Sequence, residues 1–320
     1  GRIDARPHWG ERLSGRGHWD MADGNVELKD GWLQYERVAD GSVRLGLFRE
    51  PMGLEALTSA KYVTFVERSA PTNAFTPGRN TGVMVFDALG GGGGTWSLGA
   101  FAISDGLLHD IDGGDYSLAA RLTWLAWDER EGADLLHLGV SVNHSDADDG
   151  MAQFSARPEM HAVDPLVDTG SFPADTIDTL GLELAWVGGP FSLQGELFRA
   201  ALDADAVSDP ELGGWYVQVS AFLTGEHRVY NRGRGSFGRV IPDRPWDRGR
   251  GTGAVELALR TSHTDLDDEG VSGGVMDTYS FGANWYWSRN TRFLCDWVHA
   301  ELDGTSANAD MFLLRWQLDF

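Results

Sequence analysis

The sequence predicts an all-β fold, a transmembrane antiparallel β-barrel of about sixteen strands in a single domain over residues 1–320. Three observations carry this expectation. First, 42 Gly with 13 Trp, 15 Phe and 7 Tyr favour many short strands and tight turns over helices. Second, segment after segment alternates apolar and polar residues with a period of two. Third, only 42% of the residues are hydrophobic, and nowhere is there the run of about 20 apolar residues that a membrane helix needs. A barrel strand shows lipid only at every second residue, so its mean composition stays mildly polar.

The alternation places strands at 2–9, 16–22, 26–37, 42–50, 81–88 and 94–103, with Gly90–Gly94 as a connecting turn. It then runs through 115–127 (Leu118 to Trp124), 134–146 (Leu136 to Val142), 176–187 (Leu180 to Trp186) and 191–202. In 213–224, Trp215, Val217, Val219 and Ala221 oppose Tyr216, Gln218 and Ser220. The segment 251–265 follows, and in 277–288 Tyr279, Phe281, Ala283 and Trp285 oppose Ser280, Gly282, Asn284 and Tyr286. After 291–302, the last segment, 309–320, sets Phe312, Leu314, Trp316, Leu318 and Phe320 against Met311, Leu313, Arg315, Gln317 and Asp319. Aromatic residues gather near the ends of the apolar faces, as in the girdles of membrane barrels, and an alternating terminal strand closing on Phe resembles that of bacterial outer-membrane proteins. These are fifteen segments, and bacterial barrels have an even number. Either 151–161 is another strand, or the first strand is incomplete or misread. The loop reading of 151–161 puts the long excursion 51–80 on the outer side, where long loops belong.

Charge narrows the function. A net charge of −22 excludes a nucleic-acid partner, which would need a basic face. Acids crowd the presumed loops at 146–149, 203–205 and 265–269, whereas 226–251 holds seven Arg and three acids. Cys295, the lone cysteine, excludes a disulfide framework and reads as a small apolar strand residue. His109 with Asp110 and Asp112, and His144 with Ser145 and Asp146, sit near turns, where such residues serve the backbone; no enzyme activity, metal or cofactor is expected.

Four stretches carry a family resemblance: LGLFREPMGLEALTSAKYVTFVERSAPTNAFTPGRNTGV at 45–83, VDTGSFPADTIDTLGLELAWVGGPFSLQGELF at 167–198, LTGEHRVYNRGRGSFGRVIP at 223–242 and FGANWYWSRNTRFLCDWVH at 281–299. They resemble the phosphate-selective porin O and P family of trimeric outer-membrane barrels, over nearly the whole chain. The resemblance implies inward-folded constriction loops at about 51–80, 147–175 and 225–250, the last from the periplasmic side. Lys61, Arg68, Arg79, Arg157 and Arg239 are the implied constriction residues, with His161 and Arg228, Arg232, Arg234, Arg244, Arg248 and Arg250 nearby. Arg121, Arg260 and Arg315 hold polar-face strand positions and serve either as a lumen ladder or as wall ion pairs.

A guanidinium fork matches phosphate oxygens and keeps its charge at any relevant pH. The function expected is an anion-preferring, phosphate- or polyphosphate-like diffusion channel in a Gram-negative outer membrane. It would be a homotrimer contacting lipid and lipopolysaccharide, and it would pass small anions. Two departures, the loss of all lysines but Lys29 and Lys61 and the acidic loops, keep a general or cation-preferring porin as the alternative, beside a scaffolding barrel.

Overall fold

A computed structural model describes all residues other than 22–24, 39–40, 104–113, 205–207, 248, 306 and 320. The terminal Phe320, Arg248, Asp205 and the His109–Asp112 group lie outside the described residues. One antiparallel sheet of sixteen strand segments dominates the structure. Its order follows the chain: β1 (Arg2–Ala5), β2 (Leu13–Asp20), β3 (Glu27–Val38), β4 (Gly41–Arg49), β5 (Arg79–Leu89), β6 (Gly94–Ala102), β7 (Tyr116–Glu129) and β8 (Asp134–Asp146). β9 (Thr176–Gly188), β10 (Phe191–Asp203), β11 (Glu211–Phe222), β12 (Ala254–Asp268), β13 (Val271–Tyr286), β14 (Thr291–Leu302) and β15 (Asn308–Leu318) complete it. The sixteenth segment, His8–Trp9, continues β1 along the same neighbour β2. Pro7 separates the two pieces, because it has no N–H to give to the ladder.

All fifteen expected strands are therefore present, and 151–161 is no wall strand. It forms two-residue ladders off the main sheet, Met151–Ala152 with Phe172–Pro173 and Ser155–Ala156 with Val167–Asp168. Several boundaries differ from expectation by two or more residues. β12 runs on through Asp268, and β13 begins at Val271, because a tight turn with Gly270 at φ 85° closes the hairpin. Most of the acid run 265–269 is thus strand, with a bulge between Asp265 and Asp267, and not loop. Arg79 likewise opens β5 instead of lying in the preceding loop.

The register sorts the faces as the alternation requires. Leu314 (82% exposed), Trp316, Trp285, Trp215 and Leu182 point outward, while Asn284 and Gln218 are buried inside. Outward aromatics form two bands. Trp285, Phe293 and Trp316 sit side by side at one end, and Trp215, Tyr279, Trp297 and Phe312 at the other. The first end carries the short turns 90–93, 130–133, 189–190 and 287–290 and, among them, the long segment 223–253. The other carries the long segments 50–78 and 147–175. Inside the curled sheet lie α1 (Leu54–Leu57) and α2 (Ala70–Phe75). Two distant strands of the order touch this same inner segment: Arg49 of β4 donates to the carbonyl of Pro77, and Arg315 of β15 to those of Val66 and Ala60.

Candidate functional site

Three inner segments fill the side of the lumen bounded by β7 to β15, and the wall grips them through buried charges. Glu196 on β10 accepts the backbone N–H groups of Leu54 (2.8 Å) and Glu55 (2.6 Å), the open first turn of α1, and a bond from the Tyr216 hydroxyl. Asp296 on β14 accepts Val66 N–H at 2.6 Å. Asn284 donates to the Thr64 carbonyl, Arg292 to Val63, Gln317 to Lys61 and Arg315 to Ala60 and Val66. Residues 54–66 are thus mounted largely by their backbone.

Glu159 joins from the segment 147–175. It accepts from Ser262 (2.8 Å), Thr278 (3.0 Å) and Ser280 (2.7 Å) and pairs with Arg260, which also reaches Glu55 at 3.3 Å. The segment 223–253 is held in the same manner. Arg121 donates to Glu183 and to the Gly235 carbonyl, and His137 bridges Glu183 and the Tyr230 hydroxyl. Arg228 donates to Gln194 and lies 3.6 Å from the centre of the Phe237 ring. Arg121, Arg260 and Arg315 are therefore anchors of inner segments and not a free ladder.

The inner face of β1 to β5 differs. Arg6, Arg16, Arg44, Arg49 and Arg79 project from the wall, and Arg68 and Arg234 face them from the inner segments. Among the described residues, two carboxylates pair with these arginines, and a third, Asp20, pairs with Arg2 beside them. Asp4 pairs with Arg6 and Arg16, and Asp30 pairs with Arg16 (3.2 Å), Arg79 (3.4 Å) and His18 (2.9 Å). Among the described residues, Arg44, Arg49, Arg68 and Arg234 have no carboxylate within ion-pair distance. Arg68 is spent instead on the carbonyls of Glu55, Ala56 and Thr58, just past α1. Burial, then the Arg6 and Arg16 charges, push the Arg234 guanidinium pKa down, the signature of like charges held together.

The series runs from Arg79 and Arg49, paired in register at the long-loop end, through Arg16 to Arg44 and Arg234. At about 3.3 Å per residue the five steps from Arg49 to Arg44 cover roughly 17 Å. Beyond them, Lys61, Tyr62 and Arg239 meet at the short-turn end around Asp319, which pairs with Arg239 and lies 3.9 Å from the Lys61 ammonium. That pairing raises the Arg239 pKa.

The expected constriction residues thus divide. Arg68 and Arg79 join the arginine face, Lys61 and Arg239 share one carboxylate at its far end, and exposed Arg157 donates to the Val163 carbonyl in the segment 147–175. His144 pairs with Asp178 at 2.8 Å on the outward face. Sequence reasoning missed Arg16, Arg44 and Arg49. Arg16 and Arg44 hold polar-face positions in β2 and β4, the same signal that marked Arg121, whereas Arg49 falls in the register of Leu45 and Leu47, where alternation does not mark it.

The family pattern described as "Phosphate-selective porin O and P" matches residues 8–320. An uncharacterised protein of Caulobacter vibrioides is 32% identical over 288 residues, 86% of this chain, of which the chain spans 56% of the relative's length. Porin O of Pseudomonas aeruginosa is 27% identical, with 87% of this chain and 70% of that protein covered. Among solved structures, a loop-deletion variant of the Vibrio cholerae outer-membrane protein OmpT superposes with a TM-score of 0.60 at 12% identity, over 99% of this chain and 89% of the other. An anion-selective porin from Comamonas acidovorans gives 0.56 at 12% identity, over 94% and 78%. With the fold and the matched span in agreement, the chain belongs to the phosphate-selective porin O and P family.

Proposed function

We propose that this protein is an outer-membrane porin of a Gram-negative bacterium, a diffusion channel that prefers anions of the phosphate kind. One observation carries the reading: among the described residues, Arg44, Arg49, Arg68 and Arg234 share one inner face and have no carboxylate within ion-pair distance. Charge of one sign along a narrow, low-dielectric passage concentrates the opposite ion, and several weak sites in series allow it to leave. Lys61, Arg79 and Arg239 extend the series towards its two ends, and Arg157 supplies charge at the long-loop mouth.

Membership of the family, the Porin O relative and the anion-selective neighbour point the same way. The outward apolar faces of β13 to β15 fit lipid and the contact of a homotrimer, and a trimer form is described for the Vibrio cholerae neighbour. No catalytic role is assigned. The test is the reversal potential of the purified protein in planar bilayers under a potassium chloride gradient, with and without phosphate. Chloride should carry most of the current and phosphate should reduce it. A pore that prefers potassium at about 0.15 M salt, where the screening length is roughly 8 Å, would establish the general cation-preferring porin instead.

A further inference from the structure

We propose that the anion passage carries an amphipathic subsite at Arg44 that takes organic anions with a flat apolar body, the aryl phosphates as a class. The proposal rests on the anion reading above and deepens it. The inner face of β7 to β14 is mostly polar, with Ser117, Ser141, Gln194, Gln218, Ser262 and Thr278 as examples. Opposite to this, β3 to β6 turn Trp32, Phe48, Met84, Phe86 and Phe101 inward, and these rings cluster with one another and Ala119. Every member of that cluster is a wall residue, and no inner segment contributes to it.

Two glycines shape the patch. Phe101 packs edge-on to Phe48 with centroids 5.3 Å apart and lies flat over Gly82 and Gly99. A Cβ at either glycine would come within 2.4 or 2.5 Å of the Phe101 ring, so any larger residue would lift the ring into the lumen. Trp32 and Phe86 stay half-buried beside it.

Arg44 sits at the edge of this surface. Its guanidinium carbon is 4.4 Å from the Trp32 ring centre, 4.9 Å from Phe86 and 5.4 Å from Phe48. Nε and Nη2 both donate to Gln34 Oε1, which fixes the fork. Among the described residues Nη1 has no hydrogen-bond partner, and Arg234, Asp30 and Arg16 lie within electrostatic reach, two cations to one carboxylate. A bare phosphate can use only the charged half of such a site. A phosphate monoester with an aryl group places its dianion by Arg44, Arg16 and Arg234 and its ring by Trp32 and Phe86. Ring–ring contact in a partly dry site then adds to the electrostatic attraction.

The experiment compares half-blocking concentrations of inorganic phosphate, methyl phosphate and phenyl phosphate on the chloride current of the whole protein in planar bilayers. Phenyl phosphate should block at a concentration about tenfold below that of methyl phosphate, a preference that aromatic contact of this kind supplies. W32A should bring the two esters together by weakening phenyl phosphate block far more than methyl phosphate block, and W32F should retain the preference. Equal block by the two esters in the unsubstituted protein would overturn the proposal, and that comparison decides even if W32A fails to assemble. Equal weakening of all three blockers in W32A would also overturn it, because Trp32 would then be shaping the passage and not contacting ligand. Failure of the anion reading is separately visible, as a cation-selective reversal potential before any ester is added.

Discussion

The two sides of the barrel use the same residue type for opposite ends. On the β7–β15 side the buried guanidiniums of Arg121 and Arg260 are met by acids, Glu183 and Glu159, and those of Arg228 and Arg292 by the Gln194 amide and the Val63 carbonyl. On the β1–β5 side, among the described residues, Arg44, Arg49 and Arg234 have no carboxylate within ion-pair distance, and each stands close to other guanidiniums. A neutralised charge holds the chain in place, whereas an uncompensated one is available to a passing ion. For Arg121 and Arg260 set against Arg44 and Arg234, what separates mount from channel is the counter-charge, not the arginine.

This contrast can be broken from either side. The largest effect is expected for Arg260→Ala, which leaves Glu159 and Glu55 buried without their cation. Removing one member of a buried pair costs about 3–5 kcal/mol. It should show as loss of the heat-resistant folded band on gels, and a fully folded R260A would refute the anchor assignment. Next comes the lipid face. Leu182→Arg, in the middle of β9, should cost roughly 2–4 kcal/mol in folding titrations into bilayers, while a lumen change such as Arg49→Gln costs much less. Equal tolerance would contradict the register.

Smaller in stability but decisive for selectivity is the double change Arg49→Gln and Arg234→Gln. It should leave assembly intact and move the reversal potential towards potassium. The smallest effect is expected for Asp319→Asn, which frees Lys61 and Arg239 at the short-turn end. Phosphate block of the chloride current should tighten by a few-fold, since the partly exposed Lys61 and Arg239 keep the worth of their pairing with Asp319 to about 1 kcal/mol. Unchanged block would place Asp319 outside the ion path.

Much of this architecture was legible in the sequence, because β-barrel patterning is local. Alternation in Phe312–Leu318 or Tyr279–Trp285 fixes which face meets lipid without knowledge of any partner strand. The β12–β13 turn was misplaced because an acid run was taken for loop, whereas the bulge at Asp265–Asp267 keeps it paired. The site was only partly legible. Loop arginines such as Arg68 and Arg79 could be named, but the choice between anchor and free charge depends on contacts across large separations. Arg121 and Glu183 are 62 residues apart and Arg260 and Glu55 are 205 apart, distances over which no spacing rule operates. Nor did the net charge help, since many of the acids that produce it are turned inward as fasteners.

The way in which the wall grips residues 54–66 bears on how such a channel can change over generations. Glu196, Asp296, Asn284, Arg292, Gln317 and Arg315 hold amides and carbonyls, groups that every non-proline residue provides. Partly exposed side chains on that stretch, Lys61 and Tyr62, can be exchanged without disturbing these backbone fastenings, whereas Leu54, Glu55 and Phe65 are buried. Mutation can thus try new solute preferences at this position while the cost to folding stays low, and one barrel can serve as a chassis for many filters.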